Sequence, residues 1–324
     1  MMDIIIDTDP AMGTLGGDPE DGFAIMLALQ SPELNVRAIT VVHGNTPLHN
    51  GYSNAVHLLE LMGQTDIPVA PGLSRPIMPY RGYGTLRKQE QFGPWKDPLK
   101  AERQAVDLLV DTVLNNGAEP VTIVTIGPLS NVAAAILCEP RFAPSVHELV
   151  MMGGAATVPG NSTPAAEFNF FADPEAASIV FNAGIPLVMV GLDVCHQTEM
   201  TPASVASIGD AAPLARFVSE SCADWLDIRR TIVGAPFHLY DSLSMAVAFQ
   251  RDLVETESCW VDIETTGRLT SGQSVAYLSP YTRRAVDGKE NCRVCLKVDA
   301  ARFARLFEDR VLGPLRDGTL SRLT

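Results

Sequence analysis

Residues 4 to 29 read IIIDTDPAMGTLGGDPEDGFAIMLAL. Asp7, Asp9, Asp18, Glu20 and Asp21 fall within fifteen residues, between one apolar run that enters and another that leaves. Carboxylates crowded between buried segments repel one another and resist ionisation. Such a cluster suits three tasks: acid–base chemistry, ligation of a hard cation, or the start of a helix. Asp18, Glu20 and Asp21 stand where DGFAIMLAL begins a helical pattern, and negative charge is favourable there. Capping accounts for one or two of the five acids. It leaves Asp7 and Asp9 at the end of a buried strand, where a hard cation would satisfy them. Ca²⁺ is favoured over Mg²⁺ if the ligand set is large and all-oxygen.

The elements that must position these acids follow from the hydrophobic pattern. Apolar runs at 3–7, 36–43, 67–72, 121–127, 148–154 and 185–193 read as buried parallel strands. Helical patterns alternate with them: DGFAIMLALQ, NGYSNAVHLLELMG, AVDLLVDTVLNNG, LSNVAAAILCEP and PEAASIVFNAG. The expectation is a doubly wound α/β fold, mostly parallel, with helices on both faces. Later come a helix at DSLSMAVAFQ, strand-like CWVDIET, SVAYL and CRVCLKV, and a helix around ARFARLFEDRV, so some strands should be antiparallel. With no linker or repeat, residues 1–324 read as one domain. The Gly-, Pro- and aromatic-rich stretch 79–98, with Tyr80, Tyr83, Phe92 and Trp95, reads as a lid or a plain surface loop. The strand ends collect the chemistry-capable groups: Asp7 and Asp9, His43 and Asn45, Gly127, Met151 and Met152, and Asp193. Ligands of open α/β sheets sit beyond that rim.

Totals narrow the class. The chain has 324 residues, 46% hydrophobic, and a net charge of −14. That field repels nucleic acid and tolerates a cation or a small neutral substrate. No run of about 18 apolar residues spans a membrane. MMDIIID lacks the basic and apolar regions of a secretory signal, so a cytoplasmic setting is expected. Cys292 and Cys295 form a CxxC, but in a strand residues three apart face opposite sides, and no second pair completes a zinc set. Ordinary thiols are expected. Other readings of the acid loop fail on detail. MGTLGG is not GxGxxG, and its acids would oppose a pyrophosphate. As an EF-hand, the loop from Asp7 has Met12 at the glycine position and Asp18 at the glutamate position. A haloacid-dehalogenase nucleophile loop would need more than DTDPA, and the late acidic pair is absent.

The run DTDP…EDGFAI resembles the DxDPGxDDAxA pattern of the inosine–uridine-preferring nucleoside hydrolases. ITVVHGNT, VAPGLSRPI, TIGPLSNVAAA, MMGGA, the GN at 160–161, AEFNFFADPEAA, LVMVGLDV, YDSLSMA and the CRVCLKVDAARFARLF tail resemble further family segments in the same order. The resemblance implies hydrolysis of the N-glycosidic bond of ribonucleosides, with one Ca²⁺ at the rim, an activated water and an oxocarbenium-like transition state. It implies metal ligation by Asp9, Asp21, the Ile126 carbonyl and Asp241, with Asp9 also the base. Asp7 would support the metal loop. Glu20, Asn45, Met152, Asn161, Glu167 and Asn169 would meet the substrate. A homo-oligomer, dimer or tetramer, and a part in purine or pyrimidine salvage are implied as well.

Four departures qualify the match. Asp9 and Asp21 are twelve apart, so the loop carries about seven extra residues, and either it returns Glu20 and Asp21 to the usual place or Asp18 replaces one of them. Ala11 stands where Gly is usual, and Glu20 where Asp is usual. Many members have His before the last metal Asp as the leaving-group acid, whereas here the neighbour is Tyr240, with His238 two residues earlier. His238, Tyr240 and His43 are the candidates for that role, and His196 reads as structural. A different N-ribosyl substrate, or non-catalytic binding of calcium and a ribosyl group, stays open at this point.

Overall fold

A computed structural model describes residues 1–78, 97, 101–117, 119–210, 212–228 and 237–320. The expected lid segment, with Tyr80, Tyr83, Phe92 and Trp95, lies outside the described residues.

Among the described residues the main sheet has eight strands. β1 (Met2–Thr8), β2 (Leu34–Val41), β3 (Val69–Pro71), β4 (Val121–Thr125), β5 (Val146–Met152) and β6 (Leu187–Val190) run parallel. Two-residue strands β7 (Glu199–Met200) and β8 (Phe237–His238) pair with each other, and β10 (Val261–Ile263) pairs with β11 (Ser274–Ala276). β12 (Cys292–Val298) lies parallel to β6, and the edge strand β9 (Val254–Cys259) is antiparallel to it. The order is β3-β2-β1-β4-β5-β6-β12-β9. The winding reverses between β1 and β4, so the crevice of a doubly wound sheet opens beside Asp7 and Asp9.

The strands read as continuous apolar runs because both faces are covered. Ile4 and Ile6 of β1 pack into one core layer and Ile5 into the other. The first layer holds helices α1 (Glu20–Leu29) and α2 (Leu48–Met62), with those at Pro213–Ile228, Asp241–Phe249 and Ala300–Phe307. The second holds α3 (Ala105–Leu114), α4 (Ser130–Cys138) and the helix Pro174–Phe181. α1 is buried from Glu20 to Ala28, so its apolar residues run all round it rather than along one stripe. Helix Pro213–Ile228 was not anticipated, yet Leu214, Phe217, Val218, Cys222 and Trp225 keep helical spacing and are buried.

The extra residues after Asp9 fold inward. Ala11 and Met12 are 0% and 1% exposed. The Asn54 side-chain amide on α2 donates to the Pro10 carbonyl at 2.9 Å and to Thr14 Oγ1 at 3.0 Å. The Thr14 N–H donates to the Ala11 carbonyl and the Gly17 N–H to the Thr14 carbonyl. Gly13 has φ +101°, and a Cβ there would meet Asn54 and Phe217, so glycine is required. The excursion therefore returns the chain to Glu20 and Asp21 at the start of α1.

Cys292 and Cys295 belong to opposite core layers of β12, as the strand geometry requires, and all six cysteines are free thiols. Alanine at either position should lower stability by about 1 kcal/mol, the usual scale of a core substitution. Because the two side chains do not meet, urea unfolding of the double variant should show the sum of the single losses to within about 0.5 kcal/mol. Strong non-additivity would place the two thiols in contact.

Candidate active site

At the switch point the end of β1 and the start of α1 deliver three buried acids, Asp7, Asp9 and Asp21, and each is held by donors. Asp7 Oδ1 accepts from Thr40 Oγ1 at 2.5 Å and from the Asn131 amide at 2.8 Å. Its main-chain carbonyl takes the Ile126 N–H at 2.8 Å and so fixes the carbonyl of Ile126 just beyond β4. Asp9 Oδ2 accepts the Asn45 N–H at 2.6 Å, while Asp9 Oδ1 is buried with no partner among the described residues. Two glycines make room for it: a Cβ on Gly44 would lie 1.8 Å from Asp9 Oδ2, and one on Gly127 2.8 Å from Oδ1. Asp21 Oδ1 accepts from Thr8 Oγ1 at 2.5 Å and from the Asp9 N–H at 3.1 Å, and its Oδ2 from the Asn45 amide at 3.2 Å.

Above this floor lies a cleft of about 300 Å³. Glu20, Asn45, Ile126, Met152, Asn161, Glu167, Asn169, Tyr240 and Asp241 line it, together with Asp18, the alternative acid of the loop, and two residues that no sequence pattern flagged, Ser162 and Phe168. Asp9 and Asp21, both 0% exposed, sit beneath it. Depressions of about 430 and 470 Å³ exist elsewhere on the surface, but neither gathers buried carboxylates.

Several predicted residues carry a structural task as well. Glu167 is the N-cap of the short helix Phe168–Ala172, and its carboxylate accepts the N–H groups of Gly154, Asn169 and Phe170. The Asn169 amide donates to the carbonyls of Ile126 (3.3 Å) and Met152 (3.0 Å), and its Oδ1 is buried without a partner among the described residues. Glu20, expected to reach the sugar, lines the cleft and is also bonded to the helix Asp241–Phe249. Its Oε2 accepts the Asp241 N–H at 2.8 Å and its Oε1 accepts Ser242 Oγ at 2.9 Å. A carboxylate at a helix N-terminus is held by those free N–H groups and by the dipole.

Burial dominates the electrostatics. It pushes Asp7 up to about 7, Glu20 up to about 8 and Glu167 up to about 7. Asp9 and Asp241 are driven well above the carboxylate range, by burial first and then by the charge of Asp21. Asp21 is raised by burial, against the hydrogen bonds it accepts from Thr8, Asp9 and Asn45. Among the described residues, no group of three or more Asp, Glu, His or Cys side chains stands arranged to hold a metal ion. The hydrogen bonds of Asp21 give a physical reason, since both its oxygens are turned to donors of the protein. The donor chemistry nonetheless fits a hard cation: the charge of Asp21 raises Asp9, the charges of Asp21 and Asp9 raise Asp241, the Ile126 carbonyl lies on the same cleft, and one Asp9 oxygen has no partner among the described residues.

The histidines separate. His43 is not in the cleft. It is 3% exposed, burial pushes it down to about 4, and its Nε2–H donates to Ser130 Oγ at 3.0 Å. The Ser130 hydroxyl in turn donates to Asp173 at 2.6 Å. His238 lies on β8, and its Nδ1–H donates to the Thr198 carbonyl at 2.8 Å. Its ring is 5.7 Å from Tyr240 and 5.1 Å from His196, so the phenol is on the cleft wall and the two imidazoles are beside it. Asp193 accepts the N–H groups of Ala156 and Thr157, a support for the turn after β5.

A doubly wound sheet with acids gathered under a cleft at its switch point is the architecture of an α/β enzyme. The chain belongs to the inosine-uridine preferring nucleoside hydrolase family, whose model matches residues 4–305. It is 37% identical over 322 residues to the pyrimidine-specific ribonucleoside hydrolase RihA of Shigella boydii serotype 4 (strain Sb227), covering 95% of this chain and 97% of that one. Among solved structures it is similar to a plant nucleoside hydrolase, PpNRh1, at 30% identity and TM-score 0.81, covering 97% and 99% of the two chains. It is also similar to a purine-preferring ribonucleoside hydrolase from Gardnerella vaginalis, at 27% identity, TM-score 0.81 and the same coverage. As a nucleoside hydrolase it is an enzyme that cleaves N-glycosidic bonds. Among the described residues, no helix is long and apolar enough to cross a membrane.

The raised carboxylates set a pH dependence. In the cation-free protein they bind protons that the unfolded chain has released above about pH 4. Stability therefore falls as pH rises through the folded values of about 7 to about 8. A cation displaces those protons, so its stabilising effect grows as pH rises. Thermal unfolding with millimolar calcium and with chelator should show a larger calcium gain at about pH 8 than at about pH 5.5. No gain at either pH would rule out these carboxylates as cation holders.

Proposed function

We propose that this chain hydrolyses ribonucleosides to ribose and free base in a Ca²⁺-dependent reaction. The observation that carries the reading is Asp9, a fully buried carboxylate pinned at one oxygen by the Asn45 N–H and unpartnered at the other, under a cleft lined by amides and acids. Asp9, Asp21, Asp241 and the Ile126 carbonyl would hold the cation. When bound, the cation supplies Lewis acidity toward water near neutral pH and a chelating point for a vicinal diol.

The remaining steps belong to the side chains. Asn45, Asn161, Glu167, Asn169 and Met152 surround the ribose. Asp9 Oδ1 takes a proton from the attacking water as its oxygen bonds to C1′. The C1′–N bond breaks and its electron pair goes to the base nitrogen. The sugar gains positive charge, which buried carboxylates stabilise more than they stabilise the neutral substrate. The departing base leaves toward Tyr240, whose phenol is the donor on the cleft wall, with His238 beside it. The same reading takes residues 1–324 as one domain that assembles as a dimer or tetramer and serves salvage in the cytoplasm.

The test is ribose release from a panel of purine and pyrimidine ribonucleosides, with calcium and after chelation. The panel spans both classes because the named relatives divide between them. Release that disappears on chelation and returns with calcium is the expected result. Calcium binding with no release from any nucleoside would move the chain to another ribosyl substrate or to binding alone. In Asp9→Asn, turnover should fall by about 10²- to 10⁴-fold, the scale of a lost general base, with the thermal transition retained. Near-normal turnover in that variant would refute the assignment of Asp9 as base.

A further inference from the structure

Two acids of the cleft, Asp18 and Glu20, have no role in the reaction as described. Asp18 comes from the extra residues between Asp9 and Asp21, is half-buried, and lines the cleft together with Asn45, Asn161 and Tyr240. The chain that carries it is not loose. Ala11 and Met12 anchor it in the core, Asn54 ties Pro10 and Thr14, and Gly17 closes on Thr14. Asp18 Oδ1 accepts the Glu20 N–H at 3.1 Å, which fixes its carboxylate at the mouth of α1. Glu20 stands in contrast. It is 1% exposed, and its two oxygens take the Asp241 N–H, the Ser242 N–H and Ser242 Oγ. The carboxylate nearest in sequence to Asp21 is thus engaged with a helix terminus, and the one three residues earlier faces the substrate space.

We propose that Asp18 is a substrate-binding residue that accepts a hydrogen bond from a ribose hydroxyl, and that Glu20 is a positioning residue that holds Asp241 through the N-terminus of its helix. A hydroxyl is the fitting partner because it donates. A nucleobase edge presents acceptors as well, and these would oppose a wall that already carries Asp18 and Asp241. The inference rests on the nucleoside hydrolase reading and adds a division of labour between two neighbouring acids.

The experiment compares wild type, Asp18→Ala, Asp18→Asn and Glu20→Gln of the full chain with calcium. The substrates are one ribonucleoside and its 2′-deoxy, 3′-deoxy and 5′-deoxy analogues. A hydrogen bond to a charged group is worth about 10- to 100-fold in kcat/KM. Asp18→Ala should lose about that much on the parent, mainly through KM, and less than about 3-fold on the one analogue whose missing hydroxyl was its partner. Asp18→Asn keeps an oxygen for the Glu20 N–H, so the loop stays capped, and it should show the same pattern with smaller losses. Glu20→Gln should lower kcat alike on all four substrates and raise the calcium concentration needed for half-maximal thermal stabilisation. Equal losses on all four substrates for Asp18→Ala, or an Asp18→Asn indistinguishable from wild type, would overturn the proposal. A wild type that releases no ribose from the parent would remove the hydrolase reading and this inference with it.

Discussion

Everything at the rim of this sheet answers to one constraint: several carboxylates are kept out of water within interaction range of one another. Two like charges 4 Å apart repel by about 4 kcal/mol even at an effective dielectric of 20. Asp7, Asp9, Glu20, Asp21 and Asp241 are each 5% exposed or less. No lysine or arginine bonds to any of them among the described ion pairs; the acids are met by hydroxyls, amides and backbone N–H groups. Neutral donors tolerate both protonation states, so the cluster can exchange protons for a cation without losing its frame. A built-in arginine would have neutralised the acids permanently and closed that option.

The frame comes from the winding of the chain. Reversal between β1 and β4 opens the crevice, and the Ile126 N–H to Asp7 carbonyl bond locks the two strand ends together. Glycines 44 and 127 keep the walls from closing on Asp9. The second layer of support is made of caps: Glu167 on its own helix, Glu20 on a helix distant in sequence, and Asp193 on the turn after β5. Acids whose charge is used to hold backbone N–H groups contribute to the field of the site while remaining rigid, which is how geometry and electrostatics are met with the same residues.

Much of this was legible in the residues. The parallel strands announced themselves as uninterrupted apolar runs, and β12 in particular was read to its ends at Cys292 and Val298. The opposite facing of Cys292 and Cys295 followed from the two-residue period of a strand. The convergence of Asp9, Asn45 and Gly127 followed from their places at strand ends. What was not legible depends on partners far away in sequence. Glu20 reads locally as a helix-start acid or a sugar contact, and nothing near it reveals that its partner is Ser242. His43 stands at a strand end like the others, yet it turns inward to Ser130 at the start of α4, a partner 87 residues away in sequence. Helix Pro213–Ile228 carries its period in plain view at Leu214, Phe217, Val218, Cys222 and Trp225, but the strand after it, β8, is two residues long and leaves no apolar run to mark the alternation. The β7–β8 ladder is two residues long and below what any periodicity can register.

The bond from the Asp241 N–H to Glu20 spans 221 positions of the chain. On the ribosome this fixes an order of events. The acids of β1 and α1 are made first, and they must stay solvated and separate until the segment around Asp241 and Ser242 emerges, roughly ten seconds or more later at about 20 residues per second. Until then the N-terminal acids have neither their helix partner nor the last of the proposed cation ligands. The crevice is thus completed by one of its most distant contributors, and a chain interrupted before that point would carry the acidic loop without Tyr240 and Asp241 on the cleft wall.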